Sequence, residues 1–320
     1  MNIHIPNSAF LGNIDAFIAR MNFSDPSSLH ITTNESWISV HPVVLTMIAA
    51  LGMTVDPGKI SVDDITASSG HYLARMGLFE MLGYPPPMHI KEHEPAGRFI
   101  QLTEIKDSNQ LTEFLSNLQP LLHLEPQQAN SIRYIVSELV RNVLEHSQSK
   151  FGAIVAAQYF AKTNTVRIGI SDTGLGIWST IHESHTARTD MDALKLALTP
   201  GITGTTSRPG GTDFNAGAGL FFIKSIAKIN RDFFMLYSGN AMFKLLKASN
   251  DQKNTLNANP DRDKHSERSD LPSWQGTVVG IDLSLSNTAE LDELLENIRL
   301  TYDDAVKTRK YQRIRRPRFV

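Results

Sequence analysis

Cysteine is absent from the 320 residues. That excludes a disulfide framework, thiolate metal ligation and a cysteine nucleophile. A reducing, cytoplasmic setting fits such a composition. No run of about 18 apolar residues occurs, so no membrane-spanning helix is expected. The opening residues, "MNIHIPNSAF", lack the basic and apolar regions of a signal peptide. An excess of one charge is also missing, the formal net charge being −2. The exception is local. Residues 307–320, "KTRKYQRIRRPRFV", carry seven Lys or Arg and no acid. Removing those seven from 31 leaves 24 basic residues against 33 acidic ones. Such a tail suits nucleic acid, an acidic partner or the body of its own protein.

What is present reads as a two-domain globular chain. Residues 29–90 alternate strand and helix patterns: "SLHITT", the helix "HPVVLTMIAALGM" with Pro42 near its first turn, "KISVDDI", and "SGHYLARMGLFEML" as one helix. The "PPP" at 85–87 marks a boundary. A second block opens with the strand "RFIQLTEI". A helix capped by Ser108 or Asn109 follows and is expected to break at Pro120. A long helix runs through "SELVRNVLEH". Two strands joined by "AKTN" come next, then a loop-rich stretch, a helix after glycines and a hairpin turning at "SGN". Residues 249–275 are polar and read as a mobile insertion.

The long helix places Glu138, Asn142 and His146 four residues apart. That spacing stacks a carboxylate, an amide and an imidazole on one face of an otherwise apolar helix. Downstream lie "DTGLG" (Asp172 to Gly176) at a strand end, "NAGAGL" (Asn215 to Leu220) opening a helix, and Gly276–Thr277 opening a strand. Each pattern alone is common in tight turns or helix packing. Their order and spacing together are specific.

Over residues 120–290 this order resembles the GHKL ATP-binding fold of type II topoisomerases, heat-shock chaperones, mismatch-repair ATPases, histidine kinases and anti-sigma-factor serine kinases. The resemblance implies ATP and Mg²⁺ as cofactors. Asn142 would ligate Mg²⁺, which prefers oxygen ligands. Glu138 would accept a proton from water or a substrate hydroxyl attacking the γ-phosphate. Asp172 would accept the adenine amino group, with Gly174 and Gly176 letting the backbone pass the base. Gly217, Gly219 and Leu220 would present backbone N–H groups to phosphate, and Thr277 a hydroxyl under the adenine. The segment with "GITGTTSRPGGTDF" would be the ATP lid, with Arg208 a candidate for the γ-phosphate. Asn215 departs from the pattern, standing where a first glycine is usual. Arg141 and Glu145 suit a surface ion pair, and His146 a helix-end role.

Residues 1–95 are similar to a STAS-type regulatory domain, with Val40 at the usual phosphoserine position and Ser39 beside it. The implied organisation is an α/β (α+β) chain. A STAS-like domain over 1–95 is joined by a 96–120 connecting segment to a GHKL two-layer sandwich over 121–290, a mixed sheet with helices on one face. A helix and basic tail follow over 291–320. The implied function is a cytoplasmic Mg·ATP-dependent regulator that switches a protein partner, with room for a homodimer and for nucleic acid on the tail. An anti-sigma-type serine/threonine kinase and a non-catalytic nucleotide-binding scaffold remain as alternatives.

Overall fold

The computed structural model describes residues 1–87, 99–206, 218–248, 255–285 and 291–314. The first stretch holds β1 (Asn2–Ile5), β2 (Ser8–Ala9), α1 (Asp15–Ile18), β3 (Leu29–Thr33), β4 (Ser39–Val40), α2 (Pro42–Gly52), β5 (Ile60–Val62), α3 (His71–Arg75) and α4 (Leu78–Met81). The order β1-β3-β5 forms a parallel sheet, and β2 pairs with β4. Then follow β6 (Phe99–Ile105), α5 (Ser108–Leu122), α6 (Pro126–Asn142), β7 (Ala153–Phe160), β8 (Thr165–Ser171), α7 (Gly176–His182), α8 (Asp190–Ala197) and α9 (Gly219–Ile229). The chain closes with β9 (Phe234–Gly239), β10 (Ala241–Leu245), β11 (His265–Arg268), β12 (Trp274–Ser284) and α10 (Leu291–Ile314). The protein is mixed α/β. Among the described residues, no helix is long and apolar enough to cross a membrane.

The larger sheet has the order β11-β10-β9-β12-β8-β7-β6. Side chains alternate between its faces with period two. Val155, Ile168, Ile170, Leu236 and Val279 point to a front core shared with α5, α6, α7, α8, α9 and α10. Ile154, Ala156, Met235, Tyr237 and Val278 point to a back core shared with residues 1–82. Burial on both sides explains the nearly unbroken apolar runs in β7 and β9.

α2 is the crossover between β3 and β5, and it also lies on the back of the large sheet. Its 11 residues are all buried. A helix without a polar face requires cover all round. Gly169 and Gly280 face each other in the register of β8 and β12; Gly169 admits this helix and Gly280 the side chain of Leu11. A Cβ on Gly169 would stand 2.3 Å from the Cα of Val43, and one on Gly280 2.7 Å from Leu11 Cδ2. Most of the few polar groups in this interface are matched. His41 accepts the Val43 N–H at Nδ1, capping α2. Its Nε2 lies 3.2 Å from Asp282 Oδ1. Arg167 completes the group 3.5 Å from the same oxygen, stacked over Phe10 and Phe160. Thr46 and Ser171 share a hydroxyl hydrogen bond of 2.8 Å.

Several expectations are corrected. The large sheet is antiparallel at every neighbouring pair rather than mixed. Helices occupy both faces, because α2 covers the back. Of the segment expected as a connector over 96–120, residues 99–120 belong to the second unit, since β6 is the sheet's edge strand and α5 packs in the front core. Asp107, not Ser108 or Asn109, caps α5, and this helix continues through Pro120 to Leu122. The helix expected over "SGHYLARMGLFEML" is two short ones, parted where Gly77 takes φ of +78°. The polar stretch read as a mobile insertion is structured over 255–275. It contains β11 and is fastened by Asp263, which pairs with buried Lys224 of α9 at 2.5 Å. Residues 249–254 lie outside the described residues.

Candidate functional site

α6 begins with a capping box between Glu125 and Gln128, with Pro126 in its first turn. Ile132, Ile135, Val136, Leu139 and Val140 face the core. The opposite stripe carries Glu138 and Asn142 toward the end of the sheet. Beyond Asn142 the helix widens into a π-turn over Val143–Ser147. Such turns re-aim backbone groups and are frequent at functional sites. Here the Ser147 carbonyl accepts the Leu175 N–H at 2.7 Å. A Cβ on Gly174 would stand 2.1 Å from that carbonyl oxygen, so only glycine fits.

β8 leads straight into Asp172, which is 2 % exposed. Its carboxylate accepts the Gly174 N–H at 2.8 Å. Burial pushes its pKa up to about 7, against the pull of the Gly174 and Thr277 N–H groups. Gly276, with φ of +101°, lets β12 pass; a Cβ there would stand 2.3 Å from the Asp172 carbonyl oxygen. Trp274 Nε1 donates to that same carbonyl at 3.0 Å. Buried Ser238 ties the group together, accepting the Ile177 N–H at 3.0 Å and donating to the Gly276 carbonyl at 2.6 Å.

At the far side stands the N-terminus of α9. Its N-cap, Ala218, supplies no side-chain acceptor, which leaves N–H groups of the first turn for an outside acceptor. Gly219 is pressed against α6. A Cβ there would stand 3.1 Å from Glu138 Oε2 and 3.5 Å from Asn142 Nδ2. Burial raises the Glu138 pKa, and the Arg141 guanidinium at 3.6 Å opposes the rise. Arg141 also pairs with Glu145 at 3.6 Å.

These elements enclose a cavity of about 360 Å³. Glu138, Asn142, Asp172, Gly176, Gly219, Leu220 and Thr277 line it, as do Arg141 and His146. Gly174 does not line the cavity; it lies beneath, against Ser147. Gly217, Arg208 and Asn215 lie outside the described residues, as do residues 315–320 of the basic tail. Ser39 is half-buried on β4, away from the cavity. Ile202, Thr203 and Gly204, from the segment expected as the lid, also line the wall, and sequence reading missed Thr180 and Ala197 beside them. It also missed Ser238 and Ser147, which act through hydrogen bonds across the chain that leave no local pattern.

One end of the cavity thus offers a buried hydrogen-bond acceptor between close-packed backbones. The other offers a helix N-terminus, an amide and a carboxylate. Asp261, His265 and Glu267 form a separate group able to surround a cation. Lys195 already stands there, 2.8 Å from Asp261 and 2.9 Å from Glu267. No protein-family model, no curated protein and no solved structure matches this chain.

Proposed function

We propose that the cavity binds Mg·ATP and that the second unit is a GHKL-type ATPase domain. The observation that carries this reading is convergence. Glu138 and Asn142, Asp172, Gly219 and Thr277 come from four separate segments and line one cavity. Asp172 accepts the adenine amino group. Asn142 ligates Mg²⁺, and the α9 N-terminus receives phosphate. Glu138, its pKa raised above the ordinary carboxylate value by burial, takes the proton from the attacking water. Residues 1–87 contribute no lining residue. We assign this STAS-like unit a regulatory role, in which nucleotide occupancy changes the surface a protein partner meets.

Calorimetric titration with Mg·ATP tests the site. The parent binds, while Asp172→Asn and Asn142→Ala each lose about 1.4 kcal/mol, or tenfold in affinity. With γ-labelled ATP, free phosphate marks hydrolysis and label on protein marks a kinase. Glu138→Gln retains binding and loses turnover by about 10²- to 10⁴-fold. A folded parent that binds no ATP refutes the reading.

A further inference from the structure

α10 touches the cavity's wall from outside at two places. Ile298, Tyr302, Val306 and Arg309 recur at helical spacing and so share one face. Ile298 and Val306 are buried. The Tyr302 ring meets Phe221 and Phe222, with centroids 6.4 and 6.1 Å apart. Those phenylalanines directly follow Gly219 and Leu220, which line the cavity. Seven residues beyond Tyr302, Arg309 Nη1 donates to the Pro200 carbonyl. Pro200 leads through Gly201, at φ of +71°, into Ile202, Thr203 and Gly204, which line the cavity and are bonded to Ser184 and His185 just after α7.

Arg309 is half-buried, and among the described residues it has no carboxylate within ion-pair distance. Lys307 and Lys310, on the same helix, are exposed. A guanidinium withdrawn from water for one neutral carbonyl contributes little to stability by itself. Its geometric effect is larger, because it fixes the start of the 201–206 wall.

We propose that α10 is a strap. Through Tyr302 and Arg309 it holds two flanks of the cavity, Pro200–Gly204 and Gly219–Phe222, at the spacing the ligand requires. Arg309 is a positioning residue and touches no ligand. The consequence for binding rests on the nucleotide reading, but the strap itself does not. Anything that lifts α10 loosens these two flanks and leaves in place the bonds of Asp172 to Gly174 and Thr277.

The test compares the full-length parent with Arg309→Ala, Arg309→Lys and a Lys307→Ala/Lys310→Ala control. Hydrogen exchange without nucleotide reads the strap directly. Arg309→Ala should speed exchange over 201–206 and leave β8 unchanged. Titration reads the consequence. Arg309→Ala should weaken Mg·ATP about tenfold and leave adenosine within about twofold, with Arg309→Lys recovering part of the loss. The double-lysine control should match the parent. Unchanged exchange at 201–206 overturns the strap, as does equal weakening of ATP and adenosine, which marks general damage. Faster exchange in Arg309→Ala with no ATP binding by the parent upholds the strap and refutes the nucleotide reading.

Discussion

The two faces of the seven-stranded sheet use the same backbone in opposite ways. On the back, glycines bring α2 into contact with β8 and β12, and nearly every polar group has a partner inside the interface. On the front, the elements part at one end of the sheet and leave a cavity. There the polar groups Glu138, Asn142 and Asp172 face a space. Close packing with matched polar groups yields rigidity. Buried polar groups left facing a cavity are the mark of a binding site. The rigid face holds the receptive one in place, since Thr46 bonds Ser171, the residue beside Asp172.

The contrast can be broken most severely at Gly169. Gly169→Val sets a side chain against the backbone of Val43, where nothing flexible can yield. A loss of about 3 kcal/mol is expected, read as a lower urea midpoint or as insoluble protein. An unchanged midpoint would show that α2 is free to move.

Acid sharpens the contrast, because the faces respond with opposite sign. Asp172 keeps its proton to about pH 7 when folded, against 3.8 for the ordinary group. Between those limits the folded state binds more protons, so acidification stabilises the protein through this residue. His41 is the reverse. Burial lowers its pKa below 6.5 despite Asp282, so the fold disfavours its charged form and its contribution is lost as pH falls below 6.5. Asp172→Asn should therefore steepen the fall of stability between pH 6.5 and 4, by up to about 1.4 kcal/mol per pH unit. His41→Asn, which keeps a cap for α2, should flatten it. Parallel curves for all three proteins would contradict the assignment. The smallest effect is expected at the exposed Arg141. Arg141→Ala should cost about 0.5 kcal/mol or less by thermal unfolding. A loss beyond that range would give this pair a structural weight its exposure does not suggest.

The polar column was legible because helical spacing brings Glu138 and Asn142 onto one face. The glycine motifs were legible because each stands at a strand end or a helix start. The π-turn was not, since a widened turn has no spacing of its own until the Ser147 carbonyl finds Leu175. Apolar spacing showed that α2 would be a helix but not what would cover it, so the two units read as separate where they share a core. β11 escaped notice because a half-buried edge strand of "HSER" carries no apolar alternation. Arg309 was hidden among the tail's cations, since charge along a sequence does not show which residue turns inward.

The contact between His41 and Asp282 spans 241 residues. A ribosome adding about 5–20 residues per second needs roughly 12 to 48 s to cover that distance. For that interval α2 has left the ribosome and the strand that completes its bed has not. α2 is made well before β12, so an all-apolar helix waits for its cover while the chain between them is completed. A truncation anywhere before Ser284 would leave the protein unfinished at its beginning as well as at its end.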